Sequence, residues 1–329
     1  MAVYTQLGAE ELSAIISAFD VGALVSVKGI AEGVSNSNWI VETEGRDPAG
    51  DTGGTRFILT MYEERTETGE LPFFLGLLDH LADRGCPVPR TIHDRDGAAF
   101  RFHAGKALAL IEFLPGVSVS LPEPSQAYAV GRALAQVHCA VSDFPGKRNN
   151  ALGLDGWRAL LEDCTSDGLD EIDPQLSALV TRELAVLEAQ WPHDLPRSVI
   201  HADLFPDNVL MRGSQVTGLI DFYFACNDIT AFDVAVTHAA WCFDSDGRTF
   251  LPELSAALLA GYAELRPLLP AELAALPLLA RGAAMRFLAT RAYDWINTPA
   301  GAMVTRKNPM AFARRLQFYA DPANSGIFA

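Results

Sequence analysis

The feature that most constrains the fold of this chain is a change of hydrophobic period at Leu114-Pro115-Gly116. Upstream, residues 23–30, 39–44 and 55–62 alternate apolar and polar side chains or carry β-branched runs, which is the period of a strand. The segment 31–38 between the first two is a loop of small and polar residues, and 46–54 is rich in Gly, Asp and Pro. Residues 70–84 place Phe74, Leu77, Leu78 and Leu81 at helical spacing, and Gly85 then stops the helix. Two further strands are expected over 98–103 and 107–113. Downstream the period becomes helical. Residues 126–141 set Val130, Leu134, Val137 and Val141 on one face, and 176–191 form another helix. A hairpin over 209–222, turning at Arg212-Gly213-Ser214, interrupts helices that resume at 231. The pattern predicts an α+β chain of two lobes, a small antiparallel β-sheet lobe with one helix over 1–113 and a larger, mostly helical lobe over 114–329.

The 329 residues are 49% hydrophobic and 20% charged, enough apolar material to bury a core in each lobe. A formal net charge of −16 argues against a general nucleic-acid partner, which needs a basic surface to displace counterions. It leaves room for a phosphate ligand brought in with a cation. The most apolar stretch, 251–285, is interrupted by Glu253, Glu264, Arg266, Pro270, Glu272 and Arg281, so packed helices are expected there and no membrane span. The first eight residues have neither a basic region nor an apolar core, so no secretory signal is expected. The five cysteines form no C-x-x-C pair, which fits free thiols in a reducing cytoplasm.

Chemistry concentrates in one segment, Val199-Ile-His-Ala-Asp-Leu-Phe-Pro-Asp-Asn-Val-Leu210. His201, Asp203, Leu204 and Asn208 stand at the offsets of a kinase catalytic loop, H-R-D-L-x-x-x-N, with Ala202 in place of Arg. Thirteen residues beyond Asn208 comes Leu219-Ile-Asp-Phe222, and the intervening hairpin would return Asp221 to the mouth of the loop. Phosphoryl transfer needs in-line positioning and neutralised phosphate charge more than covalent help. Magnesium is a hard cation that takes oxygen ligands, here the Asn208 carbonyl and the Asp221 carboxylate. Asp203 would accept a hydrogen bond from an attacking hydroxyl as catalytic base, and His201 is expected to order the loop. Turn geometry explains any one of these residues, but not the joint spacing.

With those residues in view, the chain resembles the aminoglycoside phosphotransferase-like superfamily of small-molecule kinases, which share the protein-kinase fold. Within it, the chain is similar to the homoserine kinases. Segments 70–81, 199–210, 218–226, 286–295 and 304–309 carry the likeness. The resemblance implies a protein-kinase-like two-lobe fold, with 1–113 as the nucleotide lobe and 114–329 as the catalytic and substrate lobe. It implies ATP and Mg2+ as cofactors, and L-homoserine as the small-molecule substrate in threonine biosynthesis. It also makes Asp203 the base, Asn208 and Asp221 the metal ligands, and Asp233 a helix residue that supports the catalytic loop.

Nucleotide contacts are expected from Gly33, Ser35 and Asn36 in the loop after the first strand and from the backbone of Glu112 and Leu114 at the hinge. Leu59 and Ile111 are candidates to pack on the base. Kinases of this fold carry a lysine on the third strand paired with a helix glutamate. Thr60 takes that position here, with Lys28 and Lys106 as alternative cations. A substrate with a carboxylate and an ammonium group calls for an arginine and an acidic or carbonyl partner. Arg286, Thr290 and Asp294 share a helix face at i, i+4, i+8, with Arg291 and Trp295 beside it. Asn38 and Tyr223 complete the substrate candidates, with Arg306 and Lys307 as further cations. His138 is expected to be a core histidine with its hydrogen bonds made. Competing readings are a kinase for another amino alcohol, choline or an aminoglycoside, and a nucleotide-binding protein without transfer activity, for which Thr60 is the argument. The chain has no H-E-x-x-H and no G-x-S-x-G, so a zinc or serine hydrolase is disfavoured.

Overall fold

The computed structural model describes residues 7–30, 36–45, 55–63, 68–298 and 306–328. Gly33 and Ser35 lie outside them. The chain divides into two compact units, Met1–Pro115 and Gly116–Ala329.

The first unit opens with helix α1 (Ala9–Ile16), then strands β1 (Leu24–Ile30), β2 (Asn36–Thr43) and β3 (Thr55–Tyr62). Helix α2 (Leu71–Asp83) follows, then β4 (Thr91–Ile92), β5 (Arg101–His103) and β6 (Lys106–Glu112). The strands form one antiparallel sheet in the order β1-β2-β3-β6-β4, with β5 paired to β6. Helix α1 and strand β4 were not expected. The helix carries Leu12, Ile15 and Ile16 at helical spacing, and β4 is too short to show a period.

Strand alternation assigns the two faces of this sheet. Trp39, Val41, Phe57, Leu59, Met61, Leu108 and Leu110 turn toward α1 and pack on Leu12, Ile15, Ile16 and Phe19. Leu59 is therefore core and unavailable to a ligand on the other face. That other face carries Asn38 opposite Thr60, and the row Lys28, Ile40, Ile58, Ile111. Thr60 Oγ1 donates to Asn38 Oδ1 at 2.8 Å. Lys28 thus shares the Thr60 face. Lys106 follows the parity of Leu108 and pairs with Glu63, which sets it on the α1 side. At the sheet edge the Glu112 N–H donates to the Arg90 carbonyl at 2.9 Å, and the Glu112 carboxylate accepts from the Arg90 N–H at 3.0 Å.

The second unit runs α3 (Pro124–Ala140), α4 (Leu154–Cys164), α5 (Ser166–Ile172), α6 (Leu176–Gln190), β7 (Arg197–Ile200), β8 (Val209–Arg212), β9 (Gln215–Leu219) and β10 (Cys226–Ile229). Helices α7 (Thr230–Trp241), α8 (Pro252–Leu265), α9 (Pro270–Asn297) and α10 (Met310–Ala320) complete it. Every residue of α7 is buried, which its Ala, Val and Phe content on all sides permits. Helix α9 is long and apolar enough to cross a membrane, but 61% of its most apolar window is buried against the rest of the unit. It is the core helix on which α4, α6, α7 and α10 pack. Gly282 on α9 leaves room for the ring of Trp191, which a Cβ there would strike. All five cysteines are free.

Two short ribbons present the site. Strand β10 pairs antiparallel with β7, with Cys226 opposite Ile200. Strands β8 and β9 form the expected hairpin, turning at Gly213 with φ +60°.

Candidate active site

The loop 201–208 leaves β7 and enters β8, and Asp221 lies between β9 and β10. The Ile220 N–H donates to the Asn208 carbonyl at 3.0 Å. That bond brings the end of β9, and Asp221 with it, back to the loop. The hairpin therefore performs the return that the sequence spacing called for.

Two non-glycine residues here are left-handed, Ala202 with φ +63° and Asp221 with φ +65°. Such a backbone costs about 1–3 kcal/mol and persists only where its surroundings hold it. Asp233 on α7 supplies that hold. Its Oδ2 accepts from the His201 N–H at 2.6 Å and its Oδ1 from the Ala202 N–H at 2.8 Å. Burial alone would raise the Asp233 carboxyl. The hydrogen bond of His138 and the His201 N–H hold it below its ordinary value. From the opposite side, Arg286 on α9 donates to the Ala202 carbonyl. Trp241 Nε1 donates to the Leu204 carbonyl at 2.9 Å.

His201 orders the loop from within. Its Nδ1 accepts from the Asp203 N–H at 3.2 Å, so Nε2 must carry the proton that it donates to the Ile220 carbonyl at 3.0 Å. Burial pushes its pKa down, which keeps the ring neutral, and the Asp233 charge offsets part of that shift. The ring lies on Phe222, with centroids 4.4 Å apart.

Asp203 is half-buried. Burial raises its carboxyl to about 7; the Arg286 charge opposes the rise and the Asp221 charge adds to it. Crowding by protein atoms, then the Asp207 charge, raise Asp221 to about 6. Asp221 still presents surface to solvent, so its rise counts for less than that of Asp203. Asn208 donates its amide Nδ2 to the Asp203 carbonyl at 2.8 Å and to Asp203 Oδ2 at 3.1 Å. Its Oδ1 is thereby turned away from Asp203 and remains an acceptor.

This donor set fits a divalent cation bound mainly by substrate. Asn208 Oδ1 and Asp221 are hard oxygen ligands, and the carboxylates of Asp203, Asp207 and Asp221 repel one another until positive charge joins them. Among the described residues, no group of three or more His, Cys, Asp or Glu could hold a metal ion. A hard cation held there would take one or two protein oxygens and complete its shell with phosphate and water.

The substrate candidates separate. Arg286 was expected to face the substrate but is only 2% exposed. Its guanidinium lies 4.4 Å from the Phe287 ring centroid and 5.4 Å from that of Phe224, and it is spent on the catalytic loop. Thr290 Oγ1 donates back to the Arg286 carbonyl at 3.2 Å, and Asp294 is exposed one turn further on. The shared helix face runs from core to surface. Arg291 is half-buried, 4.5 Å from the Phe312 ring centroid and 6.0 Å from that of Phe205. Its described polar partner is the Asn308 carbonyl at 3.5 Å. Burial, then the charge of Arg315, lower its pKa to about 10, with Asp203 and Asp207 opposing. Lys307 lies 5.7 Å from the Phe205 centroid and 3.5 Å from Asp207 Oδ2. A secondary candidate by sequence, it stands at the catalytic loop. Arg306 packs on Trp295, 5.7 Å from the centroid. Tyr223 is half-buried beside Asp221. In the first unit, Asn36 is buried at the start of β2, and Asn38 is held by Thr60. Among the described residues the Leu114 N–H makes no hydrogen bond.

A loop, a return strand and a helix carboxylate arranged in this way define a phosphotransferase. The phosphotransferase enzyme family (APH) matches residues 26–268, more than half of the chain, and the chain belongs to that family. Its curated relatives include the homoserine kinase of Parvibaculum lavamentivorans, 51% identical with 100% of both chains covered. Another is that of Gluconobacter oxydans, 50% identical over 97% of this chain and 98% of the relative. Within the family the chain groups with the homoserine kinases. Two solved structures share the fold. An amicoumacin kinase in complex with AMP-PNP and Ca2+ aligns with TM-score 0.68 and 16% identity, covering 95% of this chain and 94% of that one. A microcompartment-associated aminopropanol kinase aligns with TM-score 0.66 and 18% identity, covering 95% and 97%.

Proposed function

We propose that this chain transfers the terminal phosphoryl group of ATP to the side-chain hydroxyl of L-homoserine, giving O-phospho-L-homoserine for threonine biosynthesis, with Mg2+ as the cation. The observation that carries the reading is identity of about half over the full length of curated homoserine kinases, in a chain whose Asp203, Asn208 and Asp221 converge. Use of ATP and free cysteines favour the cytoplasm.

In this reading Asp203 accepts the hydrogen bond of the homoserine hydroxyl and takes its proton as the new P–O bond forms. A carboxyl raised to about 7 by burial suits that task better than an ordinary one. Asn208 and Asp221 hold the cation, which neutralises charge on the transferring phosphates. Asn208 also restrains Asp203, so base and metal ligand move as one unit. Arg291 receives the substrate carboxylate, since it is charged, half-buried and short of an anionic partner among the described residues. Asn38, Tyr223 and Asp294 remain candidates for the rest of the substrate. Residues 1–113 bind the nucleotide, through the Glu112 carbonyl and Leu114 N–H at the base and through Gly33, Ser35 and Asn36 at the phosphates. Lys28, on the Thr60 face, is the candidate replacement for the strand lysine.

The test is ADP release and product identification against homoserine, choline, ethanolamine, aminopropanol and an aminoglycoside, with magnesium present and chelated. Homoserine should give the highest kcat/KM, and only with the cation. Preference for an acceptor lacking a carboxylate would sink the assignment, as would ATP binding without turnover of any acceptor.

A further inference from the structure

Behind the catalytic loop lies a chain of buried hydrogen bonds that the reaction scheme above does not use. It starts at Glu272, in the first turn of α9, and passes through Arg266 and Tyr262 to His138 on α3 and Asp233 on α7. Arg266 Nη2 donates to Glu272 Oε1 at 2.8 Å, and Arg266 Nη1 donates to Tyr262 Oη at 3.0 Å. Tyr262 Oη lies 2.7 Å from His138 Nδ1, and His138 Nε2 lies 3.0 Å from Asp233 Oδ2. Tyr262, Glu272 and Asp233 are fully buried and His138 nearly so.

The ends of this chain fix its direction. An arginine can only donate, and an ionised carboxylate can only accept. The ionised Asp233 carboxylate needs a donor on His138 Nε2, which leaves Nδ1 of the neutral ring an acceptor, so the phenol proton of Tyr262 points to Nδ1 while Arg266 donates to the phenol oxygen. The imidazole proton then stands on Nε2 and points to Asp233 Oδ2. That same oxygen accepts the His201 N–H, and its partner oxygen accepts the Ala202 N–H. If the tautomer reversed, an imidazole lone pair would face the carboxylate. Asp233 would be pushed from its grip on two peptide N–H groups, one of them on left-handed Ala202.

We propose that Tyr262 and Arg266 are positioning residues for phosphoryl transfer: by fixing the proton of His138 on Nε2 they keep Asp233 seated on the backbone of the catalytic loop and so aim Asp203. Packing alone does not require this chain, because a phenylalanine would fill the Tyr262 site equally well. Glu272 contributes twice, since its Oε2 also accepts the Leu269 N–H at 2.9 Å and caps α9. The inference rests on the proposed kinase activity for its kinetic readout but not for its spectroscopic one.

The experiment compares wild type with Tyr262→Phe, Arg266→Leu and Arg266→Lys by steady-state kinetics with homoserine and ATP. In parallel, nitrogen-15 spectra of histidine-labelled protein without substrate read the His138 tautomer. Tyr262→Phe should lower kcat about tenfold, the scale of one lost buried hydrogen bond to a loop that must be aimed. Both KM values should stay within about twofold, because neither substrate touches the chain. The His138 signal should move from pure Nε2–H to a mixture. Arg266→Leu should do the same more weakly, and Arg266→Lys, which still donates, should restore wild-type behaviour. If Tyr262→Phe does not fold, the Arg266 pair at the helix end decides the question alone. Unchanged kcat with an unchanged tautomer would overturn the proposal, as would equal loss in Arg266→Leu and Arg266→Lys. A wild type that folds with the Nε2–H tautomer but fails to phosphorylate homoserine would refute the kinase assignment and leave the hydrogen-bond chain standing.

Discussion

Asn208 binds Asp203 twice, its side-chain amide reaching the main-chain carbonyl at 2.8 Å and carboxylate Oδ2 at 3.1 Å. One residue therefore restrains the candidate base and carries the oxygen proposed to ligate the cation. Replacing it with alanine should cost both functions. Asn208→Ala is expected to lower kcat by about 10²-fold or more and to shift the magnesium activation curve to higher concentration. A titration of rate against magnesium checks this. Loss of rate with an unmoved curve would remove Asn208 from the metal site.

Arg291 should govern homoserine and leave ATP alone. A charge-assisted hydrogen bond to a carboxylate is worth about 1.5–3 kcal/mol, so Arg291→Ala is expected to raise KM for homoserine about 10- to 100-fold while KM for ATP holds. An amino alcohol without a carboxylate should be insensitive to the change. Equal effects on both acceptors would assign Arg291 to packing on Phe312 and Phe205.

Buried His238 should make the fold sensitive to acid. Its ring meets Tyr319 Oη at 2.7 Å and Ser255 Oγ at 2.8 Å, and burial depresses its pKa from 6.5 to about 3. Below pH 6.5 the unfolded chain binds a proton that the folded chain refuses, so stability falls as pH falls from 6.5 toward 3. The loss reaches about 2 kcal/mol by pH 5. Asp203 has the opposite sign, so the measurement is the difference between wild type and His238→Gln in urea melts at pH 7 and pH 5. That difference should shrink by the stated amount, and a constant difference would refute the role of His238.

The helices α3 and α8 cross through glycine. A Cβ on Gly131 would strike the Leu258 carbonyl, and one on Gly261 the Tyr128 carbonyl. Gly131→Ala should therefore destabilise the second unit by about 1–3 kcal/mol, despite the better helix propensity of alanine. Thermal melts would show the direction, and a stabilised variant would contradict the close crossing. Because α3 carries His138 and α8 carries Tyr262, some loss of kcat should accompany it.

What the sequence made legible follows from separation along the chain. The loop 201–208 and Asp221 could be read because their spacing is local and one hairpin joins them. Strand β3 could be read from its run of apolar and β-branched residues over Thr55–Tyr62. Helix α1 is hard to read although Leu12, Ile15 and Ile16 carry its period, because eight residues give a weak signal beside the strand pattern that follows. The fates of Arg286 and Arg291 were not legible. Both stand on one helix at neighbouring phases, and only the packing of α9 drives the first under the catalytic loop and leaves the second half-open. Tyr262 and His138 are separated by 124 positions, so no spacing rule could join them. The hydrogen bond between Thr60 and Asn38 shows what the absent strand lysine leaves behind: two polar side chains that satisfy each other on the face where the cation would stand.

The most direct test of the account is single-turnover phosphorylation of homoserine by wild type and Asp203→Asn under saturating magnesium and ATP. The amide matches the carboxylate in shape and keeps the Asn208 contact to the main chain, so folding and ATP affinity should be preserved. The account predicts that the chemical step falls by about 10²- to 10⁴-fold, the usual worth of a positioned base. A variant that phosphorylates homoserine at the wild-type rate would contradict it.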